Sequence, residues 1–550
     1  MLHWLRHYRR DMLAGDLGAG VIVALMLVPQ SMAYAIVAGL PPVVGLYASL
    51  LPAVVYALIG GSAVQSIGPM ALTSLMTATA LAGMAPAGSP EYVMLAAQLA
   101  LLSGIVLLAC GALRLGFLSS LLSRPVLSGV TSGCALLIIG GQYQMLLGGP
   151  LAQPNWPSSA LGLATIGLLL LGRRYLPRLL QHLGCSPSLA ATLSKLTPAL
   201  VLLLATLLVA ALDLPAAGVK TIGEVPKNLP QLHLAWSSEH WRELVMPALL
   251  IAFMVFLSSQ SAAQRLAQLR GVRLDSNREL LSLGAANLAS AVSGGFPVTG
   301  SLSRASVNFA AGAQSQLAGL ISTALLALTL LGPTGWLSFL PLPALAATIV
   351  VAVFGMLDLA TPREAWNYDR LDALAWLATL AGVLLLGVEE GVVIGVLLSL
   401  GSLLARASRP HIAVLGRMAD GDSFRNVARY AVETHPDVLL LRVDAGLFFG
   451  NAEAVIERVE QLLQPTTRHL LLVMSAVNLV DCTGLAALGD LNRSLQQQGV
   501  KLHLSDVKGP VMDRLQRSQL IQQQLSGEVF LSTAQAYRQL SGRAVLNIGS

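Results

Sequence analysis

From Leu17 to Leu404 the chain is a succession of apolar stretches joined by short polar connections, a pattern that restricts it to a polytopic helical membrane fold. Only 35 of the first 407 residues are charged, against 27 of the 143 that follow. Soluble domains carry about 25%. The sequence therefore divides into a transmembrane domain over residues 1–407 and a small soluble domain over 408–550. About fourteen apolar stretches can be counted, several of them short. The opening MLHWLRHYRRD is polar and basic, and the apolar run behind it continues for about 20 residues, so it reads as a first span and not as a cleavable leader.

The net charge of +6 does not point to nucleic acid, because Lys and Arg stand singly between apolar runs with no basic stripe interleaved with aromatics. Cys110, Cys134, Cys185 and Cys482 show no CxxC or metal-ligand spacing, so neither a disulfide framework, a metal nor a cofactor is expected. Orientation follows from the basic residues of the short loops. Arg6, Arg9 and Arg10 precede the first span, and Arg114, Arg124, Arg173, Arg174, Arg178, Arg270, Arg273, Arg278, Arg363 and Arg370 follow the even-numbered ones. The opposite connections MAPAGSPEY, GGPLAQPNWPSS, GGFP, LSFLPLP and GVEEG carry none, and only the long connection 213–243 breaks the pattern. Both termini and the C-terminal domain are therefore expected in the cytoplasm, with the spans in the inner membrane and lipid around them.

Two short segments depart from ordinary spans. SIGPMALTSLMTATALAG (66–83) carries Gly68-Pro69, and SGGFPVTGSLSRASVNFAAG (293–312) carries Gly295, Pro297 and Gly300; each reads as a half-helix after extended backbone. They are the third and tenth stretches, the third of each seven-span half. Paired broken spans of this kind mark the substrate site of a secondary transporter, and two facing helix N-termini favour an anion. Arg304 is the one basic residue well inside an apolar segment, and on a helix Ser301, Arg304 and Asn308 share a face. It is either the fixed charge of an anion site or a structural cation holding backbone carbonyls or a neighbouring Glu. On the first span Gln30 and Tyr34 stand at i, i+4, which serves either an anion pocket or interhelical packing. Glu389 and Glu390 begin the last stretch, where acids suit a helix N-terminus; Gln264 and Arg265 sit near a span end, where snorkelling accounts for them.

VPQSMAYAIVAGLPPVVGLYASLLPAVVYALIGGSAVQSIGPMAL, SRPVLSGVTSGCALLIIGGQYQMLLG, DSNRELLSLGAANLASAVSGGFPVTGSLSRASVNFAAGA and RVDAGLFFGNAE, in this order, resemble the SulP anion transporters, the solute carrier 26 family. The resemblance runs from about Asp11 to Leu540. It implies a fourteen-span, seven-plus-seven inverted repeat with a cytoplasmic STAS domain, homodimers, and elevator-type movement of a core domain (spans 1–4 and 8–11) against a gate domain (spans 5–7 and 12–14). It places the anion pocket on Gln30, Tyr34, Met70, Ser303 and Arg304, to which the facing-residue argument adds Ser301. Ser258 stands where many bacterial relatives have an acid resembling a cation or proton site. A serine keeps no charge to neutralise, so coupling through this position is expected to be weak unless Glu389, Glu390 or Asp16 takes it over.

In the C-terminal domain, strand-like runs (437–443, 469–475, 500–505) alternate with helical ones (452–463, 484–498, 510–518), which makes a small α/β fold. VDCTGL places Asp481 and Thr483 at a helix start and resembles the STAS turn that is phosphorylated on Ser or Thr in bacterial anti-sigma-factor antagonists; N-capping is the competing role, and a cytoplasmic regulatory partner is the implied one. The expected function is secondary transport of an inorganic anion, sulfate foremost, with a bicarbonate or C4-dicarboxylate carrier next and a channel-like conductor third. A membrane-anchored STAS scaffold is the reading from another class, and it leaves the paired broken spans without purpose. No nucleophile–base pair, metal cluster or nucleotide loop points to an enzyme.

Overall fold

The computed structural model describes residues 4, 8–120, 123–184, 186–194, 196–224, 226–230, 232, 240–332, 334–419 and 421–542, so Arg6 and Cys185 lie outside the described residues. The chain forms two compact units, Met1–Ser399 and Leu400–Ser550. Among the described residues of the chain, seven helices are long and apolar enough to cross a membrane, and four more are apolar but shorter. Their outer faces are apolar too: Leu200, Leu203, Leu204, Leu207 and Leu208 are exposed on the helix Thr197–Ala211, as are Leu371, Leu374, Leu377 and Leu385 beside Arg370–Leu385. In water such faces would be costly; against lipid they are not.

The elements that build the site are, in order, α1 (Leu13–Val37), α2 (Pro42–Tyr47), α3 (Leu51–Ile59), β1 (Ile67–Gly68), α4 (Ala71–Leu81), α5 (Pro90–Ala112), α6 (Trp241–Leu269), α7 (Ser276–Val292), β2 (Thr299–Gly300), α8 (Leu302–Ala310) and α9 (Leu317–Leu331). The apolar stretch 43–60 is broken between α2 and α3 at Leu50, whose φ of −89° and ψ of −81° leave the helical region just before Pro52. Close packing here depends on small residues: Ala19, Ala305, Ala313 and Ala318 cluster with Val64 and Leu266, drawing α1, α8 and α9 together.

In the second unit a six-stranded sheet has the order β4-β3-β5-β6-β7-β8, with β3 Ile412–Arg417, β4 Phe424–Asn426, β5 Val438–Val443, β6 His469–Val473, β7 Lys501–Ser505 and β8 Val529–Phe530. β5 to β8 pair in parallel, and β3 is antiparallel to both neighbours. Helices α10 (Ala452–Leu462), α11 (Cys482–Gln497) and α12 (Gly509–Leu515) match the expected ones within a few residues. Of the three strands not anticipated, β4 and β8 are the sheet edges and have only three and two residues, too few for a period-2 pattern to register, while β3 lies between β4 and β5.

His469 on β6 and His503 on β7, two positions apart in register, meet at 3.1 Å between Nδ1 and Nε2. Burial, with the neighbouring His469 and Lys501 charges adding to it, pushes the His503 pKa down to about 4. Because the folded state disfavours the protonated ring, the unfolded chain binds more protons between the ordinary His value near 6.5 and about 4, and stability falls as pH drops through that window. Hydrogen exchange of the β6 and β7 amides, corrected for intrinsic rates, should show easier opening at pH 5 than at pH 7. His503→Asn should lose most of this difference; an equal difference in the variant would assign it elsewhere.

Candidate functional site

Two stretches of extended backbone cross in the middle of the first unit. β1 and β2 pair antiparallel, Ile67 opposite Gly300 and Gly68 opposite Thr299, and Ser301 N donates to Ser66 O at 3.1 Å. Backbone of this kind can lie at bilayer depth only if its polar groups are met. Asn287 on α7 does this in both directions, its Oδ1 accepting from Val298 N at 2.9 Å and its Nδ2 donating to Val298 O at 3.0 Å. Ser290 Oγ donates to Phe296 O, Asn308 Nδ2 to Val64 O, and Gln316 Nε2 to Ser62 O and Gln65 O. Gly300 packs closely at the crossing: a Cβ there would stand 1.7 Å from Gln65 Nε2 and 2.5 Å from Ser259 Oγ, so both side chains would have to move.

The half-helices α4 and α8 begin directly after the two strands, so their N-termini meet at the crossing, as the Gly/Pro pattern predicts. Arg304, one turn into α8, is 1% exposed. Its Nη1 donates to Pro69 O at 3.0 Å, while Nε and Nη2 are buried with no partner among the described residues. One nitrogen of Arg304 thus holds a backbone carbonyl, and the other two face no acceptor among the described residues. Tyr34 is buried on α1 within Coulombic reach of the guanidinium, packs in the same cluster as Ala71, and has Gln30, half-buried, one turn before it. Met70, half-buried, precedes the first residue of α4.

Ser301 is placed differently from expectation, and Ser303 is exposed. Ser301 does not share the helical face of Arg304 and Asn308: held extended by its bond to Ser66, it is the N-cap of α8, and its Oγ accepts from Arg304 N at 3.4 Å. Ser303, which the family pattern put in the pocket, is exposed and stands about 100° round the helix from Arg304. Ser258 on α6 is half-buried and bonded within the protein, to Met254 O at 2.8 Å and Thr299 Oγ1 at 3.2 Å.

Glu279 was not singled out from the sequence. NRELLSL reads as the polar approach to an apolar stretch starting near residue 281, yet the helix begins at Ser276 and Glu279 is fully buried. Tyr56 OH donates to its carboxylate at 2.8 Å and Ser259 Oγ at 3.0 Å. The signal available was the N-cap: Asp275 Oδ1 accepts from Asn277 N at 2.9 Å, which starts the helix a turn before the apolar run. Asp16, equally buried, accepts from Gln314 N, Ser315 N and Ser315 Oγ just before α9 and so joins α1 to α9.

The model of the sulfate permease family matches residues 13–379. The chain belongs to that family. A STAS domain matches residues 429–536. A probable sulfate transporter of Mycobacterium tuberculosis is 35% identical, with 97% of each chain covered. The murine solute carrier 26 family member A9 anion transporter, solved in an inward-facing state, superposes with a TM-score of 0.87 at 23% identity over 98% of this chain and 93% of its own. The transmembrane domain of a cyanobacterial bicarbonate transporter superposes at 0.59 and 22% identity, covering 72% of this chain and 99% of its own. The two structural matches carry the fold alone. Sulfate permease family members are membrane transporters of anions and not enzymes, and the scaffold reading falls with that.

In the STAS domain the VDCTGL turn has Asp481 as the N-cap of α11, its Oδ1 accepting from Gly484 N at 2.7 Å and its Oδ2 from Phe449 N at 2.9 Å. The Gly484 amide first, then that of Phe449, hold the Asp481 carboxyl below the usual range. Thr483 shares no capping role; it is inside the first helical turn with its side chain exposed.

Proposed function

We propose that the chain carries sulfate across the inner membrane by moving a core domain that binds the anion where α4 and α8 meet. The observation that supports this most is the junction of two helix N-termini at a buried arginine with two free donors. Each helix N-terminus contributes about +0.5 and Arg304 adds a full charge, about +2 in all, which complements a divalent oxyanion. Tyr34, Gln30 and Met70 form the side of the pocket on α1 and α4, Ser301 holds the α8 N-terminus in place, and Ser303 meets the anion only where the pocket opens. The relative named a probable sulfate transporter supports the choice of anion.

The rest of the reading is a fourteen-span, seven-plus-seven inverted repeat over residues 1–407, assembled as a homodimer, with both termini and the STAS domain of 408–550 in the cytoplasm, where Asp481 and Thr483 offer a regulatory surface. Purified protein in liposomes, offered labelled sulfate, bicarbonate, oxalate, chloride and succinate, tests it. Saturable sulfate uptake is expected; selective uptake of another anion of the set corrects the substrate, and uptake of none refutes the function.

Removal of residues 409–550 should leave sulfate binding within about threefold of the full chain, since the proposed pocket draws nothing from the STAS domain. Loss of binding in a monodisperse truncation would put the site elsewhere. Ser258 bears no charge, so any gradient linkage has to come from another group. Ser258→Glu introduces an acid beside Thr299, and sulfate uptake in the variant should gain a pH dependence on top of that of the parent; superimposable profiles would remove Ser258 from the coupling region.

A further inference from the structure

We propose that Glu279 is a proton site whose occupancy is coupled to anion binding at Arg304. The inference rests on the anion reading above and adds the ion that travels with the anion. Glu279 is fully buried in the membrane unit, and among the described residues its carboxylate is met only by the neutral donors Tyr56 OH and Ser259 Oγ. A carboxylate taken out of water without a cation against it is costly, and protonation relieves the cost. Among the described residues, the titratable and charged groups facing it are Tyr56 from α3 and, on its own helix, Arg278, whose Nε is turned to Ile59 O at 3.0 Å. From α5 and α6 no acid or base faces it, and the extended segment 60–69 brings only Gln65 and the backbone at Gly61, where a Cβ would stand 3.6 Å from Glu279 Oε2.

The link to the anion site is that same segment. Ser259 Oγ donates to Glu279 and accepts from Gln65 Nε2 at 3.1 Å, and four residues later Pro69 O receives Arg304 Nη1. Four extended residues span at most about 14 Å. The segment is thus held at one end by the buried acid and at the other by the buried base.

Gln65 Oε1 is buried and unpartnered in this arrangement. Protonation gives it a partner. The Glu279 carboxylate takes one proton from water and becomes a carboxylic acid; its new O–H donates to Ser259 Oγ. The Ser259 hydroxyl, displaced from the carboxylate, turns to donate to Gln65 Oε1 once the amide has rotated by half a turn. A small cavity lined by Leu27, Tyr56, Gln65, Ser66 and Gln316 lies beside the amide and leaves room for that turn. No bond is broken except hydrogen bonds, and the net change is one proton bound. Neutralising the acid also lowers the negative potential that an incoming sulfate meets, so each ion strengthens the binding of the other.

The test uses the full-length chain in detergent and inorganic sulfate. Added to weakly buffered protein with a pH indicator, across pH 5 to 9, sulfate should draw up to about one proton per anion bound, and affinity should fall about tenfold per pH unit on the alkaline side of the transition. Glu279→Gln is isosteric and mimics the protonated state, so its sulfate affinity should be independent of pH and its proton uptake absent. Glu279→Asp keeps an acid and should keep proton uptake with a displaced midpoint, which a purely structural role would not do. Sulfate binding by the parent protein without proton uptake overturns the proposal, whether or not the variants fold. Undiminished proton uptake in Glu279→Gln overturns it as well, as does binding that requires sodium and ignores pH. Should the parent bind none of the anions offered in the liposome experiment, the reading of the Arg304 site fails and this inference with it; anion binding without proton uptake sinks this inference alone.

Discussion

Replacing Arg304 by Gln should weaken sulfate binding by about 100-fold or more while leaving the protein at least as thermostable as the parent. The affinity loss follows from removing a buried charge from a desolvated ion pair, worth about 3 kcal/mol or more. The stability expectation runs the other way. Arg304 is 1% exposed and its guanidinium makes one hydrogen bond among the described residues, to Pro69 O, so without an anion its buried charge is poorly compensated and its removal relieves a desolvation cost. A structural cation would behave in the opposite manner, because its loss would free carbonyls and melt the crossing. Isothermal titration with sulfate and the melting temperature of the same preparation separate the two. Near-parental affinity, or a large drop in melting temperature with affinity retained, would return Arg304 to a structural role.

Gly45→Ala should destabilise the membrane unit by roughly 3 kcal/mol or more, seen as a fall of about 5–10 °C in melting temperature, although it adds a single methyl group far from any charge. A Cβ at Gly45 would lie 1.9 Å from Ser31 O and 3.1 Å from Ala35 Cβ. Both belong to α1, and a backbone oxygen inside a helix cannot step aside as a flexible side chain can. α2 would have to leave α1, and α1 carries Gln30 and Tyr34 to the site. Sulfate binding should therefore fall together with stability. Unchanged melting in the Ala variant would mean that α2 and α1 are not held as closely as this packing requires.

These two residues also show how unevenly the molecule can be read from its sequence. Arg304 announced itself, because a lone basic residue in an apolar segment has few ordinary explanations. Gly45 did not, since one glycine among many in a membrane helix carries no signal of which backbone it meets. The STAS strands β5, β6 and β7 were legible from their apolar runs, whereas β4 and β8 are edge strands too short to show a period, and β3, antiparallel between β4 and β5, was not anticipated. At the VDCTGL turn the sequence offered two capping candidates, and only the bond from Gly484 N selects Asp481 over Thr483.

The class of the fold, the position of the two broken spans, the basic residue beside their crossing and the place of the soluble domain along the chain were all legible residue by residue. Each of these is written in local chemistry: runs of apolar side chains, Gly and Pro where helices stop, a solitary Arg, and alternating strand and helix patterns. Folding alone brings Ser301 to the cap of α8 and links Glu279, Ser259, Gln65 and Pro69 in one connected path to Arg304. Those facts depend on contacts across 20 to 235 positions of chain. The reason is physical: hydrophobicity is a property each residue carries with it, but a buried polar group has meaning only through the partner that meets it, and the partner is chosen by packing.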